Sequence, residues 1–287
     1  MKTSQMQKSK NRFIIFSDLD GTLLDHHTYS FQPASEALTV LKNLDIPLIL
    51  TSSKTLLEIR EVQTELKINY PFIIENGSGI CFPSESHSEL QNYEKMDETY
   101  VDVLGENYPK IIDDLRTLRN RYEFDFKGFH EMSVEEVMSI TGLDYERASK
   151  AKKRLCSEPI RWEDSSEKYQ RFKNELQFLG YRILVGGRFL HIMGNSDKGK
   201  AAVKLLVYYQ GKFETTKIQS IGVGDSPNDI DLLSVVDIPI LVKRPDGTYI
   251  DVQIDKKVIY APGIGPVGWG KAVKMVIANN PLFDEDG

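Results

Sequence analysis

Two carboxylate clusters stand out in this 287-residue chain, and each follows a short apolar run. The first is Asp18-Leu19-Asp20-Gly21-Thr22-Leu23-Leu24, directly after Phe13-Ile14-Ile15-Phe16-Ser17. Ligands of open parallel sheets bind outside the carboxyl ends of the strands, so this is a position for catalysis. Carboxylates one residue apart can point the same way. Held close, they repel unless a cation lies between them or one carries a proton. Gly21 lets the chain turn away sharply. The second cluster, Gly222-Val223-Gly224-Asp225-Ser226-Pro227-Asn228-Asp229, follows the apolar run 218–223. Asp225 and Asp229 bracket a turn rich in Gly and Pro. Hard oxygens so placed suit Mg²⁺, which takes one or two protein carboxylates beside water and a phosphate. The same string also reads as a helix start, with Asp225-Ser226-Pro227 as the N-cap and Asp229 in the first turn. Both readings can hold, because a helix N-terminus itself favours anions.

Two further segments offer phosphate ligands. Leu50-Thr51-Ser52-Ser53-Lys54-Thr55 ends an apolar run and opens a helical pattern. Its hydroxyls, backbone N–H groups and Lys54 could hold a phosphate. Alternatively, Ser53 or Thr55 only caps the helix. Asp197-Lys198-Gly199-Lys200 opens another helix, in which Asp197 reads as the cap. Cations at a helix start oppose its dipole, which favours a functional reason for them. Lys198 could pair with a nucleophile and with a phosphate.

These residues must be positioned by a scaffold. Short apolar runs at 13–17, 47–50, 72–74, 218–223, 238–242 and 258–260 read as strands buried on both faces. Helical patterns at 33–44 and 55–66 lie between several of them, which predicts βαβ units and a parallel sheet. The middle differs. Ser133-Val134-Glu135-Glu136 has capping-box spacing, Gly142 reads as a stop, and Asp144 as the next start. Asp164-Ser165-Ser166-Glu167 and Gly180 bound another helix. Runs 181–185 and 188–193 flank Gly186-Gly187, a hairpin signal. The alternation of strand and helix resumes at Lys198. The pattern predicts an α/β protein, with a Rossmann-like parallel-sheet core interrupted by an inserted α+β domain.

Composition excludes several classes. The chain is 40% hydrophobic and 27% charged, as ordinary globular domains are. A formal net charge of −6 argues against nucleic acid as a partner. No run has the length of a membrane span. Cys81 and Cys156 are too few for a disulfide framework and read as buried thiols of a cytoplasmic protein. Residues 1–11 read as a loose extension.

The four segments, in this order, resemble the haloacid dehalogenase superfamily of phosphatases over nearly the whole chain. The resemblance implies a core of residues 1–85 and 192–287 and an inserted cap at 86–191. It implies Asp18 as nucleophile and Asp20 as general acid/base. It implies Ser52, rather than Thr51, as the phosphate-binding hydroxyl, with Lys54 beside it, and Lys198 as the active-site lysine. Asp225 and Asp229 would hold Mg²⁺ with Asp18 and Asp20, and Asn228 would face the substrate.

Ile74-Glu75-Asn76-Gly77, Met132-Ser133-Val134-Glu135-Glu136-Val137, Ser157-Glu158-Pro159, Gly186-Gly187-Arg188-Phe189-Leu190-His191 and Gly265-Pro266-Val267-Gly268-Trp269 are similar to the mannosyl-3-phosphoglycerate phosphatase family. That likeness implies a small phosphorylated sugar-glycerate substrate, with contacts from Glu75, Asn76, Gly187 and Arg188. Arg suits bidentate recognition of a carboxylate. His191 alternates with apolar residues and reads as a core histidine with its nitrogens satisfied rather than as a catalyst. The expected reaction is hydrolysis of mannosyl-3-phosphoglycerate through an aspartyl-phosphate. A glucosyl substrate, a phosphomutase and a non-enzymatic sugar-phosphate binder are the alternatives.

Overall fold

The computed structural model describes residues 12–83, 94–96, 98–186, 188–213 and 218–279. In chain order it comprises β1 (Arg12–Ser17), α1 (Ser35–Asn43), β2 (Leu48–Leu50), α2 (Leu56–Leu66), β3 (Phe72–Ile74), β4 (Gly79–Pro83), β5 (Glu94–Met96) and β6 (Thr99–Val103). Then come α3 (Tyr108–Tyr122), β7 (Phe126–Gly128), α4 (Val134–Thr141), α5 (Tyr145–Ala151), β8 (Ser157–Trp162), α6 (Ser166–Phe178), β9 (Arg182–Val185) and β10 (Leu190–Met193). The chain ends with α7 (Lys198–Lys212), β11 (Ile218–Gly224), α8 (Ile230–Val235), β12 (Ile238–Lys243), β13 (Ile259–Ile264) and α9 (Gly265–Ala278). It divides into two compact units, Met1–Ile49 with Ala202–Gly287, and Leu50–Ala201. Among the described residues no helix is long and apolar enough to cross a membrane.

The first unit is built on a sheet of order β13-β12-β11-β1-β2. β1, β11, β12 and β13 pair in parallel, with Phe13 opposite Gln219 and Ile15 opposite Ile221. Phe13, Ile14, Ile15 and Phe16 are all buried, so successive side chains fill both faces. Each such side chain contributes about 1.5–3 kcal/mol on leaving water. Helix α9 has Pro266 in its first turn, where a missing N–H costs nothing. Its Trp269, Ala272, Val273, Val276 and Ile277 are buried at helical spacing, and it packs against α1. The parallel α/β expectation holds here.

The second unit holds two antiparallel sheets, of order β3-β4-β6-β5 and β7-β8-β10-β9. The run 72–74, expected in the parallel sheet, pairs antiparallel with β4, and only an isolated parallel bridge joins Thr51 to Ile73. A continuous apolar run states that both faces are buried, not which strand lies alongside. Ile111, Leu115 and Leu118 of α3 and Phe172 and Leu176 of α6 pack with Phe126, Ile160 and Ile192 on one face of the second sheet. The caps expected from sequence form. Ser133 and Glu136 close a capping box, Gly142 takes a left-handed φ of 78°, and Asp144 and Ser165 each accept a backbone N–H. Strands β9 and β10 pair as the expected hairpin, with Leu190 opposite Val185. Gly187, at its tip, lies outside the described residues.

Candidate active site

In the first unit, β1 and β11 are neighbours, so the carboxylate cluster after each strand arrives at the same sheet edge. The Asp18 N–H donates to the Val223 carbonyl at 2.9 Å, continuing the ladder one residue past the end of β1. Asp18, Asp225 and Asp229 are buried and offer carboxylate oxygens within 4.8 Å of one another. Each pair at that separation repels by about 3.5 kcal/mol at an effective dielectric of ~20. A hard divalent cation among the three turns that repulsion into attraction, so the donor set fits one. Asp20 is not part of this trio. It lies past the strand end and is less buried, where the chain has already begun to turn.

Both loops are shaped around these carboxylates. Gly21 has φ 81°, and a Cβ there would lie 2.9 Å from Asp225 Oδ2. Thr22 Oγ1 donates to Asp225 Oδ1 at 2.8 Å, which fixes that carboxylate from the other loop. Asp229 Oδ2 accepts the N–H groups of Asp225 and Ser226 at 3.1 and 3.0 Å. The helix-start reading also holds, with Ser226 as the cap and Asp229 closing the capping box, which orders the turn that presents Asp225. Asn228 is half-buried in the same turn and accepts from Ser226 Oγ. Behind Asp18, Ser17 Oγ donates to the Asp18 carbonyl at 2.7 Å, and Trp269 Nε1 donates to Ser17 Oγ at 2.9 Å. Sequence reasoning gave these three supports no role. Trp269 stood in a quoted motif, but nothing in the sequence ties it to Ser17 across the fold.

The second unit gathers the remaining candidates. Thr55, not Ser53, caps α2 through a capping box with Glu58. Ser52 and Lys54 thus precede the cap, and the Lys54 N–H donates to Ser52 Oγ at 3.3 Å. The Asn76 N–H donates to the Ser52 carbonyl at 2.9 Å, and the Glu75 N–H to the Lys54 carbonyl at 3.0 Å, so the two turns are laced together. Glu75, Asn76 and Gly77 all have left-handed φ, at 48°, 59° and 92°. Two of them are not glycine, a strain of the kind held at functional sites. A Cβ on Gly77 would meet the Asp197 carbonyl carbon at 2.1 Å, so this turn lies directly against the start of α7. Asp197 Oδ1 accepts the Lys200 N–H at 2.8 Å, as a helix cap does. Lys198 beside it is completely buried, while Lys200 is exposed. Burying an ammonium is costly without compensating partners, which separates the roles of the two lysines.

Glu75 is engaged inside the protein, where the sequence had suggested contact with substrate hydroxyls. Its Oε1 accepts the Leu155 N–H at 2.8 Å, and its Oε2 accepts the Cys156 N–H at 3.2 Å and Ser157 Oγ at 2.6 Å. Arg154 Nε lies 3.3 Å from Oε2, and Arg154 Nη2 donates to the Ser53 carbonyl at 3.0 Å. The pair ties the Ser52 loop to β8. Arg188 is exposed and donates to the Ile140 carbonyl at 2.6 Å. His191 departs from the satisfied core histidine expected, because its Nδ1 is enclosed yet has no hydrogen-bond partner.

The description "haloacid dehalogenase-like hydrolase" belongs to the family model that matches residues 15–247. A glucosyl-3-phosphoglycerate/mannosyl-3-phosphoglycerate phosphatase of Methanococcoides burtonii is 40% identical over 270 residues, 94% of this chain and 98% of the relative. A phosphatase of the same name from Persephonella marina is 35% identical over 265 residues, covering 92% and 97%. Among solved structures, a Thermotoga maritima protein aligns with TM-score 0.63 at 16% identity, over 92% of this chain and 97% of that one. The sucrose-phosphatase of Synechocystis sp. PCC6803 aligns with TM-score 0.57 at 15% identity, over 93% and 98%. These structural likenesses speak for the fold alone. The chain belongs to the haloacid dehalogenase-like hydrolases, among the relatives of the glucosyl-3-phosphoglycerate/mannosyl-3-phosphoglycerate phosphatases.

Proposed function

We propose that this enzyme hydrolyses the phosphate monoester of glycosyl-3-phosphoglycerates, releasing mannosylglycerate from mannosyl-3-phosphoglycerate and acting also on the glucosyl analogue. The supporting observation is the buried Asp18–Asp225–Asp229 trio at the carboxyl ends of β1 and β11, in a chain 40% identical to a phosphatase named for both substrates.

In this reading an Asp18 carboxylate oxygen attacks phosphorus in line and the ester P–O bond breaks. Asp20, protonated, gives its proton to the departing glycerate oxygen. The aspartyl-phosphate on Asp18 is then hydrolysed by a water whose proton Asp20 takes back, so both carboxyls return to their starting states. Mg²⁺ is the cation we assign to Asp18, Asp225 and Asp229, and its chemistry is to offset phosphoryl charge. Ser52 and Lys198 are assigned to the phosphoryl oxygens, with Lys54, Asn76 and Asn228 near them. Residues 86–191 are assigned as the cap, Gly187 and Arg188 are assigned to the sugar-glycerate, and the cytoplasm is assigned as the site of action. Glu75 serves by pinning its turn.

The test is to assay phosphate release from mannosyl- and glucosyl-3-phosphoglycerate beside simple hexose phosphates, before and after chelation and with Mg²⁺ restored. Hydrolysis of the two glycosides in preference to hexose phosphates, lost to chelator and recovered with Mg²⁺, is expected. Phosphorylated sugar products without free phosphate would indicate a phosphomutase instead. Full activity in excess chelator would remove the metal assignment.

A further inference from the structure

In the second unit, the sheet β7-β8-β10-β9 has two unlike faces. Leu190 and Ile192 of β10 pack with α3 and α6, so by strand alternation His191 and Met193 point to the opposite face. Register places Pro159 of β8 and Leu184 of β9 beside His191, and Ser157 and Arg182 beside Met193. The Met193 row is tied to the candidate phosphate-binding segments. Ser157 Oγ donates to Glu75, next to Asn76, while Arg182 Nη1 donates to the Ser196 carbonyl at 3.1 Å and to Asp197 Oδ2 at 2.9 Å, next to Lys198. His191 lies two residues further along the strand, roughly 7 Å, a span comparable to a glycerate unit.

His191 is unusual on this face. Its Nδ1 is buried and has no hydrogen-bond partner, although part of the residue reaches the surface. A buried polar atom left so calls for an explanation, and between Pro159 and Leu184 the low dielectric makes an unmet hydrogen bond more costly and a met one stronger. Burial, with the Arg154 guanidinium nearby, holds the ring's pKa down to about 3, so the imidazole is neutral and keeps one donor and one acceptor nitrogen. That suits a hydroxyl, which can serve either. Gly186 lies close to the ring: a Cβ there would stand 3.2 Å from His191 Nε2 and 3.1 Å from the Phe189 carbonyl oxygen, a tight fit. The hairpin end thus lies against the imidazole.

We propose that His191 is a specificity residue whose Nδ1 hydrogen-bonds a hydroxyl of the glycosyl-glycerate portion of the substrate. The inference rests on the function proposed above. It is tested with wild type, His191→Ala, His191→Asn and His191→Gln on mannosyl-3-phosphoglycerate and on p-nitrophenyl phosphate, which lacks the sugar and the glycerate. His191→Ala is expected to raise KM for the glycoside about tenfold, the loss of one ligand hydrogen bond, and to leave the aryl ester within about twofold. Asn can place an amide near the Nδ1 position and Gln near Nε2, so Asn alone should recover part of the affinity. Should the Ala variant not fold, the contrast between Asn and Gln carries the test. Unchanged glycoside KM in Ala and Asn, equal losses on both substrates, or no difference between Asn and Gln would overturn the inference. A wild type that hydrolyses the aryl ester but neither glycosyl-phosphoglycerate would instead overturn the function on which it rests, and the inference with it.

Discussion

In the proposed mechanism Asp18 is the nucleophile, and replacing one carboxylate oxygen by nitrogen tests that assignment with little change in shape. Asp18→Asn should reduce phosphate release by a factor of at least about 10³, as loss of a covalent nucleophile does, with Tm unchanged or raised because one of three crowded negative charges is gone. Substantial turnover by the folded variant would end the proposed mechanism. Arg188 is a smaller matter. It is exposed, so an ion pair it made with a substrate carboxylate would be screened. Arg188→Ala is expected to lower kcat/KM on the glycoside about three- to fivefold and to leave p-nitrophenyl phosphate unaffected. An equal loss on both would place Arg188 at the phosphate.

At the scale of elements, the loops after β1 and β11 succeed because they interlock. Gly21→Ala forces an L-residue to φ 81° and sets a methyl 2.9 Å from Asp225 Oδ2. The backbone strain alone is about 1–2 kcal/mol. The displaced carboxylate should also raise the metal concentration needed for half-maximal activity, and a variant with normal metal dependence would show that Asp225 moves freely. The C-terminal helix α9 acts more gently. Trp269→Phe removes the donor to Ser17 Oγ, whose own hydroxyl holds the Asp18 carbonyl. An expected loss of about 1–2 kcal/mol in stability should come with a lower kcat and little change in KM. If Tm falls but kcat does not, the Trp269–Ser17 link serves the fold only.

For the whole molecule, acid stability can be reasoned from two groups of the second unit. His191 is held neutral, with its pKa lowered to about 3, first by burial and then by Arg154. Unfolded, it would take up a proton near pH 6.5, so the stability it contributes is full above that pH and falls as pH drops toward 3. Glu131 is lowered to about 2, chiefly by its hydrogen bonds from Arg119. Its contribution is complete above its unfolded value of 4.5 and is lost as pH falls toward 2. Thermal melts from pH 7 to 3 should therefore show Tm falling from about pH 6.5 downward, and His191→Asn should flatten the upper part of that fall. A wild-type Tm constant down to pH 5 would mean that the histidine is not held neutral.

The sequence by itself determined most local structure and pointed to Asp18, Asp20, Asp225 and Asp229, of which the structure gathers Asp18, Asp225 and Asp229. Apolar runs marked β1, β2, β11 and β12, and the capping residues Thr55, Ser133 and Asp144 marked helix starts, because these signals act over a few residues. The Asp18 and Asp225 clusters were legible because each directly follows such a run. The tertiary structure alone decided what those residues touch. It put β1 beside β11, which brings Asp18 to Asp225, and it set Trp269 behind Ser17. It turned Glu75 inward onto Arg154 and Ser157, and took β3 into an antiparallel sheet. It also left His191 Nδ1 buried without a partner. Apolar periodicity says only that a side chain is covered. Which groups cover it, and whether a polar atom finds its hydrogen bond there, depends on segments far apart in the chain.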